Sequence, residues 1–129
     1  MSEEKNVLGD KFAEYLNIKT IFAKDGYAKV SLDVRPYFLN GESVVHGGVV
    51  FTLADFAFAL ASNSGKDTAL AVNCDIQFIK AGKIGDELFA EAELISRSRR
   101  LGTYRIIVTN KTGDILASVQ SMSYYKPKS

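Results

Sequence analysis

From Val49 to Ala61 the chain contains only two residues that are not apolar, Thr52 and Asp55. A helix with that composition has no solvent face and must be enclosed by other elements, so it reads as a core helix around which the rest of the fold is arranged. At ~1.5 Å per residue it is about 25 Å long. That is too short, and too closely followed by Ser62-Asn63-Ser64-Gly65, to read as a membrane span. Gly65 is its expected C-terminal stop.

Two features do not suit a purely structural helix. Asp55 is a carboxylate with apolar neighbours on both sides, and burying it unpaired would cost several kcal/mol or raise its pKa. The helix also opens on Gly47-Gly48, where a capping Ser or Asp would be ordinary. Glycine there lets another group approach bare backbone and leaves the first-turn amides free to donate to a ligand oxygen. Seven residues, close to two turns, separate Gly48 from Asp55, which puts both on one side of the helix about 10 Å apart along its axis. A carbonyl polarised near Gly48 and a reactant held by Asp55 could belong to one substrate.

The remaining composition narrows the class. A length of 129 residues is most simply one domain with a sizeable core, and 47% apolar and 24% charged residues are those of a soluble globular protein. Net charge is +1, which gives no global argument for nucleic acid or an acidic surface as partner. Any anionic ligand must be held locally. The one cysteine, Cys74, excludes an internal disulfide and a multi-cysteine zinc cluster. It fits a cytoplasmic protein, as does an acidic N-terminus, Met-Ser-Glu-Glu, without a hydrophobic signal core.

Along the chain, Val7, Leu8, Phe12 and Leu16 suit a short amphipathic helix from about Val7 to Leu16. Between Ile18 and Arg35, Ala28, Val30, Leu32 and Val34 alternate with polar residues, which predicts two strands joined at Asp25-Gly26. Pro36 ends the pairing, and Tyr37 to Val45 form a loop leading into the enclosed helix. Four strands follow Gly65. The first sets Leu70, Val72, Cys74, Ile76 and Phe78 on one face, so Cys74 reads as a core filler rather than a nucleophile. Gly82 and Gly85 mark a turn, Leu88 to Ile95 and Tyr104 to Thr109 alternate, Lys111 to Asp114 is a hairpin, and Ile115 to Tyr125 is the last strand. Consecutive strands joined by tight turns imply an antiparallel sheet, curved around the single apolar helix in an α+β fold.

The Asn40-Gly41 loop, His46-Gly47-Gly48, Leu53-Ala54-Asp55 with Ala57, Ala61 and Asn63, and Phe78-Ile79-Lys80-Ala81-Gly82 with Gly85-Asp86 together form a recognisable set. The chain from about Asn40 to Tyr125 resembles the hotdog-fold acyl-CoA thioesterases of the phenylacetate-pathway (PaaI) type. The resemblance implies a hotdog fold, with a curved antiparallel sheet wrapped around one long helix. It implies that Asp55 is the nucleophile, or the general base that activates water, against the thioester carbonyl carbon. Gly48, with Gly47 beside it, would donate backbone N–H to the carbonyl oxygen. Asn40 and His46 would orient the thioester or water. It further implies a homodimer whose site takes its acid from one subunit and other contacts from the neighbour, and a homotetramer as among relatives. No cofactor or metal is implied, coenzyme A being part of the substrate, and neither is a nucleic-acid or membrane partner.

Substrate contacts are assigned on the same footing. Gly47, Phe51 and Asn63 would line the bound acyl-CoA, and Lys80, Lys83, Arg97, Arg99 and Arg100 are the cations available to its phosphates. Phe51, Phe56, Phe58, Tyr37 and Phe38 could form an aromatic acyl pocket, which makes aryl-acetyl (phenylacetyl-like) or medium-chain acyl groups reasonable, or could equally be core. Some relatives place a serine or threonine hydroxyl at the site from the strand after the helix, for which Thr68 is the nearest match, with Asn73 on the strand itself. One histidine and no Gly-x-Ser-x-Gly argue against a serine-hydrolase triad, and no Gly-x-Gly-x-x-Gly or Walker loop occurs. The alternatives to thioester hydrolysis are a hotdog dehydratase or hydratase, which would pair its histidine with a second acid, and a non-catalytic acyl-CoA-binding module, which would have no need of Asp55.

Overall fold

The computed structural model describes residues 8–127. The elements are helix α1 (Lys11–Tyr15), strands β1 (Lys19–Lys24) and β2 (Tyr27–Asp33), a 3-10 turn (Pro36–Phe38), helix α2 (Gly47–Ser62), and strands β3 (Asp67–Phe78), β4 (Glu87–Arg97), β5 (Leu101–Thr109) and β6 (Ile115–Pro127). The six strands form one sheet in the order β1-β2-β4-β5-β6-β3, and every neighbouring pair is antiparallel. The sheet curves around α2, so the hotdog architecture is as expected.

Local chemistry sets most of these boundaries. The β1–β2 hairpin turns on Asp25 and Gly26, both at positive φ (54° and 81°), as a two-residue turn matched to strand twist requires. Helix α1 is shorter than the predicted Val7–Leu16 because Gly9 takes a left-handed φ of 66° and Asp10 caps the helix, accepting from the Ala13 amide at 3.0 Å. Its buried residues are Ala13 and Leu16, while Leu8 and Phe12 are exposed; Val7 lies outside the described residues. At the other helix, the terminus is set by Asn63 rather than Gly65.

Helix α2 lies on the concave face of the sheet because both surfaces combine small and large apolar residues. Ala54, Ala57 and Ala61 let it approach Ala90, Ala92 and Ala117, while Leu53, Phe56, Phe58 and Leu60 fill the space between. Phe58 meets Tyr104 edge to face at 5.4 Å. Phe38, Phe56 and Phe58 are therefore core residues and not walls of a pocket.

Two expectations about the sheet need correction. Strands β3 and β4 do not form a hairpin, because the segment between them crosses the end of the sheet. It is pinned by Ile79 N–H to Leu116 O (2.7 Å), Val45 N–H to Gly82 O (2.9 Å) and Val34 N–H to Asp86 O (2.9 Å). Strand β3 thereby becomes an edge, paired only to β6. The register of that pair slips between Ala71 and Asn73, leaving Val72 out of step. Leu70, Val72 and Phe78, expected in the core with Cys74 and Ile76, are exposed, and only Cys74 and Ile76 reach the core's margin.

Candidate active site

The helix is not enclosed on every side. Val50, Leu53, Ala54, Phe56, Ala57 and Leu60 are buried, but Gly48, Phe51, Thr52, Asp55 and Ala59 are partly or fully open. These positions recur every three or four residues, so they form one stripe along α2. Both polar residues of the apolar run stand on it.

Asp55 is half-buried, and no group among the described residues hydrogen-bonds or ion-pairs with its carboxylate. Burial raises its pKa above the ordinary carboxylate value, and the nearby Asp10 carboxylate raises it further. Asp10 enters because α1 packs on α2 and the helix cap fixes its side chain. Its part in the site could not be read from sequence, since an N-cap aspartate is ordinary by itself. From the sheet, Cys74 lies close enough for Asp55 to raise the thiol's pKa, although burial is the larger cause. Cys74 Sγ and Ser121 Oγ are 3.0 Å apart. A protonated, half-buried thiol fits the filler role rather than a nucleophile. Thr68 lies six residues before Cys74, which is about 20 Å along the strand, so it stands far from Asp55. Within one chain, therefore, Thr68 does not bring its hydroxyl to Asp55.

The N-terminus of α2 differs from the expectation in one respect. His46 is the N-cap, and its Nδ1 accepts from the Gly48 amide at 2.8 Å. The Val49 and Val50 amides both go to the His46 carbonyl at 2.9 and 3.3 Å. The Gly48 N–H, predicted to be open, is therefore occupied. Among the described residues nothing accepts from the amide of Gly47, which is the open donor of the first turn. A side chain at Gly47 would press on the Phe78 ring, whose nearest atoms lie 3.3 Å from where a Cβ would stand.

Beside that turn is a cavity of about 300 Å³, lined by residues including Asn40, Gly47, Val50, Phe78 and Lys80. Asn40 uses Oδ1 to accept from the Glu42 and Val44 amides (2.9 and 3.2 Å), which shapes the loop, and its Nδ2 group has no partner among the described residues. Lys80 reaches the cavity rim but is paired with Asp114 at 2.7 Å, an exposed contact that lowers the Asp114 pKa. Asn63 does not join this group. It donates to Ala59 O and accepts from Ala69 N–H (both 2.9 Å), tying the end of α2 to β3.

The predicted cations separate into two sets. Arg97 is held by Asp67 at 2.7 Å and stacked 3.6 Å from the Tyr125 ring centroid, so both its charge and its face are already engaged. Lys83 is exposed on the turn before β4 and lines neither this cavity nor the next. Arg99 and Arg100 border a second cavity of about 290 Å³ with Lys66, Asp67, Tyr125 and Lys126. Lys66 immediately precedes β3 and Lys126 lies near the end of β6, a proximity that only the β3–β6 pairing reveals.

A curved sheet wrapped round one long helix is the hotdog fold, and on that helix an acid and a first-turn amide, neither with a partner among the described residues, form the candidate site. The chain belongs to the thioesterase superfamily, whose family model matches residues 42–117. It is similar to the acyl-coenzyme A thioesterase PaaI of Escherichia coli, with 36% identity over 115 residues, covering 89% of this chain and 82% of that protein. The solved structure of E. coli PaaI, from the phenylacetic acid degradation operon, superposes with a TM-score of 0.91 at 34% identity, over 95% of this chain and 89% of the other. A Streptococcus mutans protein solved bound to acetyl CoA matches with a TM-score of 0.83 at 27% identity, over 87% of this chain and 90% of its own. The recognition of a PaaI-type hotdog thioesterase from the sequence is thus borne out.

Proposed function

We propose that the protein hydrolyses acyl-CoA thioesters to free acid and CoA at a site shared by two copies of the chain. The observation that carries this reading is Asp55, a half-buried carboxylate with no hydrogen-bond or ion-pair partner among the described residues, on the open stripe of the enclosed helix. Desolvation leaves it a stronger base than an exposed carboxylate. A non-catalytic binding module would have no use for that arrangement. A dehydratase would need a second acid beside its histidine, whereas Asp10 interacts with Asp55.

Reach argues for a second copy. Gly47 and Asp55 of one chain are eight residues apart, and their reacting atoms remain about 10 Å apart after the side chain leans toward the N-terminus. A carbonyl held ~3 Å from an amide, with its carbon ~3.5 Å from a carboxylate, spans less than about 8 Å. One chain cannot serve both ends. In the proposed site Asp55 acts on a carbonyl polarised by the partner subunit's Gly47, with His46 and Asn40 beside it. The exposed edge β3, with Leu70, Val72 and Phe78 uncovered, is the natural surface for pairing two copies.

The chemistry then needs only water. Asp55 either removes a proton from water as it attacks the thioester carbon or attacks directly to give an anhydride that water opens. In both routes the carbonyl oxygen becomes an oxyanion facing the Gly47 N–H, the C–S bond breaks and the thiolate of CoA takes up a proton. Arg99, Arg100, Lys66 and Lys126 provide the positive charge for the CoA phosphates. With Phe38, Phe56 and Phe58 in the core, Phe51, Ala59 and the uncovered β3 face remain to line the acyl group, which favours aryl-acetyl and medium-chain acyl-CoA.

Mixing two inactive variants tests the shared site. Asp55→Asn removes the acid, and Gly47→Pro removes the amide donor at a helix position that tolerates proline. Each alone should lose turnover of phenylacetyl-CoA and octanoyl-CoA, followed by thiol release. Co-refolded in equal amounts, random pairing makes half of the dimers mixed, each with one intact site of two, so about a quarter of wild-type activity should return. No recovery from folded, dimeric mixtures would end the shared-site reading.

A further inference from the structure

Sequence reading gave Gly48 the role of polarising the substrate, but its amide points elsewhere. It donates to His46 Nδ1 at 2.8 Å. A neutral imidazole has one donor and one acceptor nitrogen, so a ring whose Nδ1 accepts must carry its proton on Nε2. The close approach also depends on glycine. A Cβ at position 48 would stand 3.0 Å from Nδ1 and 3.2 Å from Cε1, tighter than such contacts ordinarily allow. The ring is exposed, and its Nε2 meets no acceptor among the described residues.

We propose that Gly48 is a positioning residue for His46: its amide and its missing side chain together hold the imidazole as the Nε2–H tautomer, so that a fixed donor is presented beside the open Gly47 amide. Neighbouring glycines then have separate duties, Gly47 toward substrate and Gly48 toward the histidine. His46 also takes the Val49 and Val50 amides on its carbonyl, so the ring is anchored to the same turn that carries the reactive amide. A ring free to rotate or to change tautomer would present its donor for only part of the time. The catalytic part of this inference rests on the thioesterase reading; the tautomer part does not.

The chain has a single histidine, so ring nitrogens labelled with 15N give one unambiguous set of signals. With the ring neutral, the wild type should show unprotonated Nδ1 and protonated Nε2, and Gly48→Ala should shift toward a mixture of tautomers. A wild-type spectrum with the proton on Nδ1 would overturn the proposal. Kinetically, Gly48→Ala should lower kcat about 10- to 100-fold with KM within about twofold, as expected for a displaced positioning group. Two further variants separate this from simple helix capping. His46→Asn keeps a capping oxygen for the Gly48 amide and loses the Nε2 donor, so it should melt near the wild-type temperature yet lose kcat to the same degree. His46→Gln keeps an N–H near the Nε2 position and loses the cap, so it should be less stable yet more active than His46→Asn. Wild-type kcat in His46→Asn would show that the histidine only caps the helix. Should Asp55→Asn prove fully active, the role given to Asp55 would fail while the nitrogen spectrum still decided the tautomer.

Discussion

Placing a charge at Val72 tests the proposed requirement for two chains directly. Leu70, Val72, Phe78 and Ile79 are 49%, 56%, 58% and 57% exposed along the unpaired edge. Complete burial of such a side chain contributes roughly 1.5–3 kcal/mol, so covering the remaining half is worth about 1 kcal/mol each, or about 8 kcal/mol for a pair of copies. Association costs about 4–15 kcal/mol before any strand–strand hydrogen bonds are counted, so the margin is narrow. Val72→Asp removes about 1 kcal/mol of apolar burial from each copy. It also forces two carboxylates into the contact at several kcal/mol per ion, a total above about 5 kcal/mol. At 1.4 kcal/mol per decade, dissociation should strengthen by more than about a thousandfold. Sedimentation velocity at micromolar protein should show the wild type associated and the variant monomeric. Far-ultraviolet circular dichroism should be unchanged, because the residue is exposed within one chain. Thioester turnover should fall with the associated fraction. A folded monomer that retains wild-type kcat would refute the reasoning, and so would a variant that associates as the wild type does.

Asp55→Asn should lower kcat at least about 100-fold while making the protein more stable at neutral pH. Burial, then Asp10, raises the carboxyl's folded-state pKa above its ordinary value, so protonation favours folding. That stability is fully present below the unfolded-state value and is lost as pH rises through the folded one. Urea denaturation should therefore show the asparagine variant ahead near pH 7 and the advantage vanishing below about pH 4. Asp10→Asn keeps a capping oxygen but removes the repelling charge, so the acid limb of the pH dependence of kcat/KM should move to lower pH; an unmoved limb would limit Asp10 to capping. Arg99→Ala with Arg100→Ala should raise KM for acyl-CoA about tenfold or more, with steeper loss at low salt than at high, and leave hydrolysis of the same acyl group on pantetheine unchanged. Single-turnover hydrolysis in 18O-water detects a nucleophilic Asp55 whose anhydride water opens at the aspartyl carbon, since that route puts 18O into Asp55 and an unlabelled oxygen into the first product, whereas a general base leaves Asp55 unlabelled.

The enclosed helix and the wrapped sheet were legible in the sequence because they depend on period and composition, which Val49–Ala61 and the alternating strands display without reference to distant residues. The failures have a common cause. Leu70, Val72 and Phe78 carry the pattern of a buried strand, yet one chain has nothing with which to cover them. Phe38, Phe56 and Phe58 read equally well as pocket or core, and only the position of the sheet puts them in the core. Lys66 and Lys126 are unremarkable lysines until the β3–β6 register sets them beside Arg99 and Arg100. Gly48 was misread for a more local reason: an N-cap histidine can take the second amide on its ring, and spacing alone cannot show which of two adjacent amides is taken.

The exposed edge and the unpaired acid are linked. Among the described residues a single copy leaves apolar side chains uncovered on β3 and a desolvated carboxylate without a counter-charge on α2, and each lowers the stability of an isolated chain. Pairing at β3 would bury the former, and the same pairing would bring the partner subunit's Gly47 amide within reach of a carbonyl at Asp55. Within one chain burial holds the Asp55 pKa above the ordinary carboxylate value, as a base working near neutral pH requires. An arginine introduced on the open stripe at Ala59, one turn beyond Asp55, would neutralise the acid and stabilise the fold, and should for that reason lower kcat/KM near neutral pH and move its acid limb to lower pH. If Ala59→Arg stabilises the protein with kcat/KM and its acid limb both unchanged, the unpaired state of Asp55 is incidental to turnover.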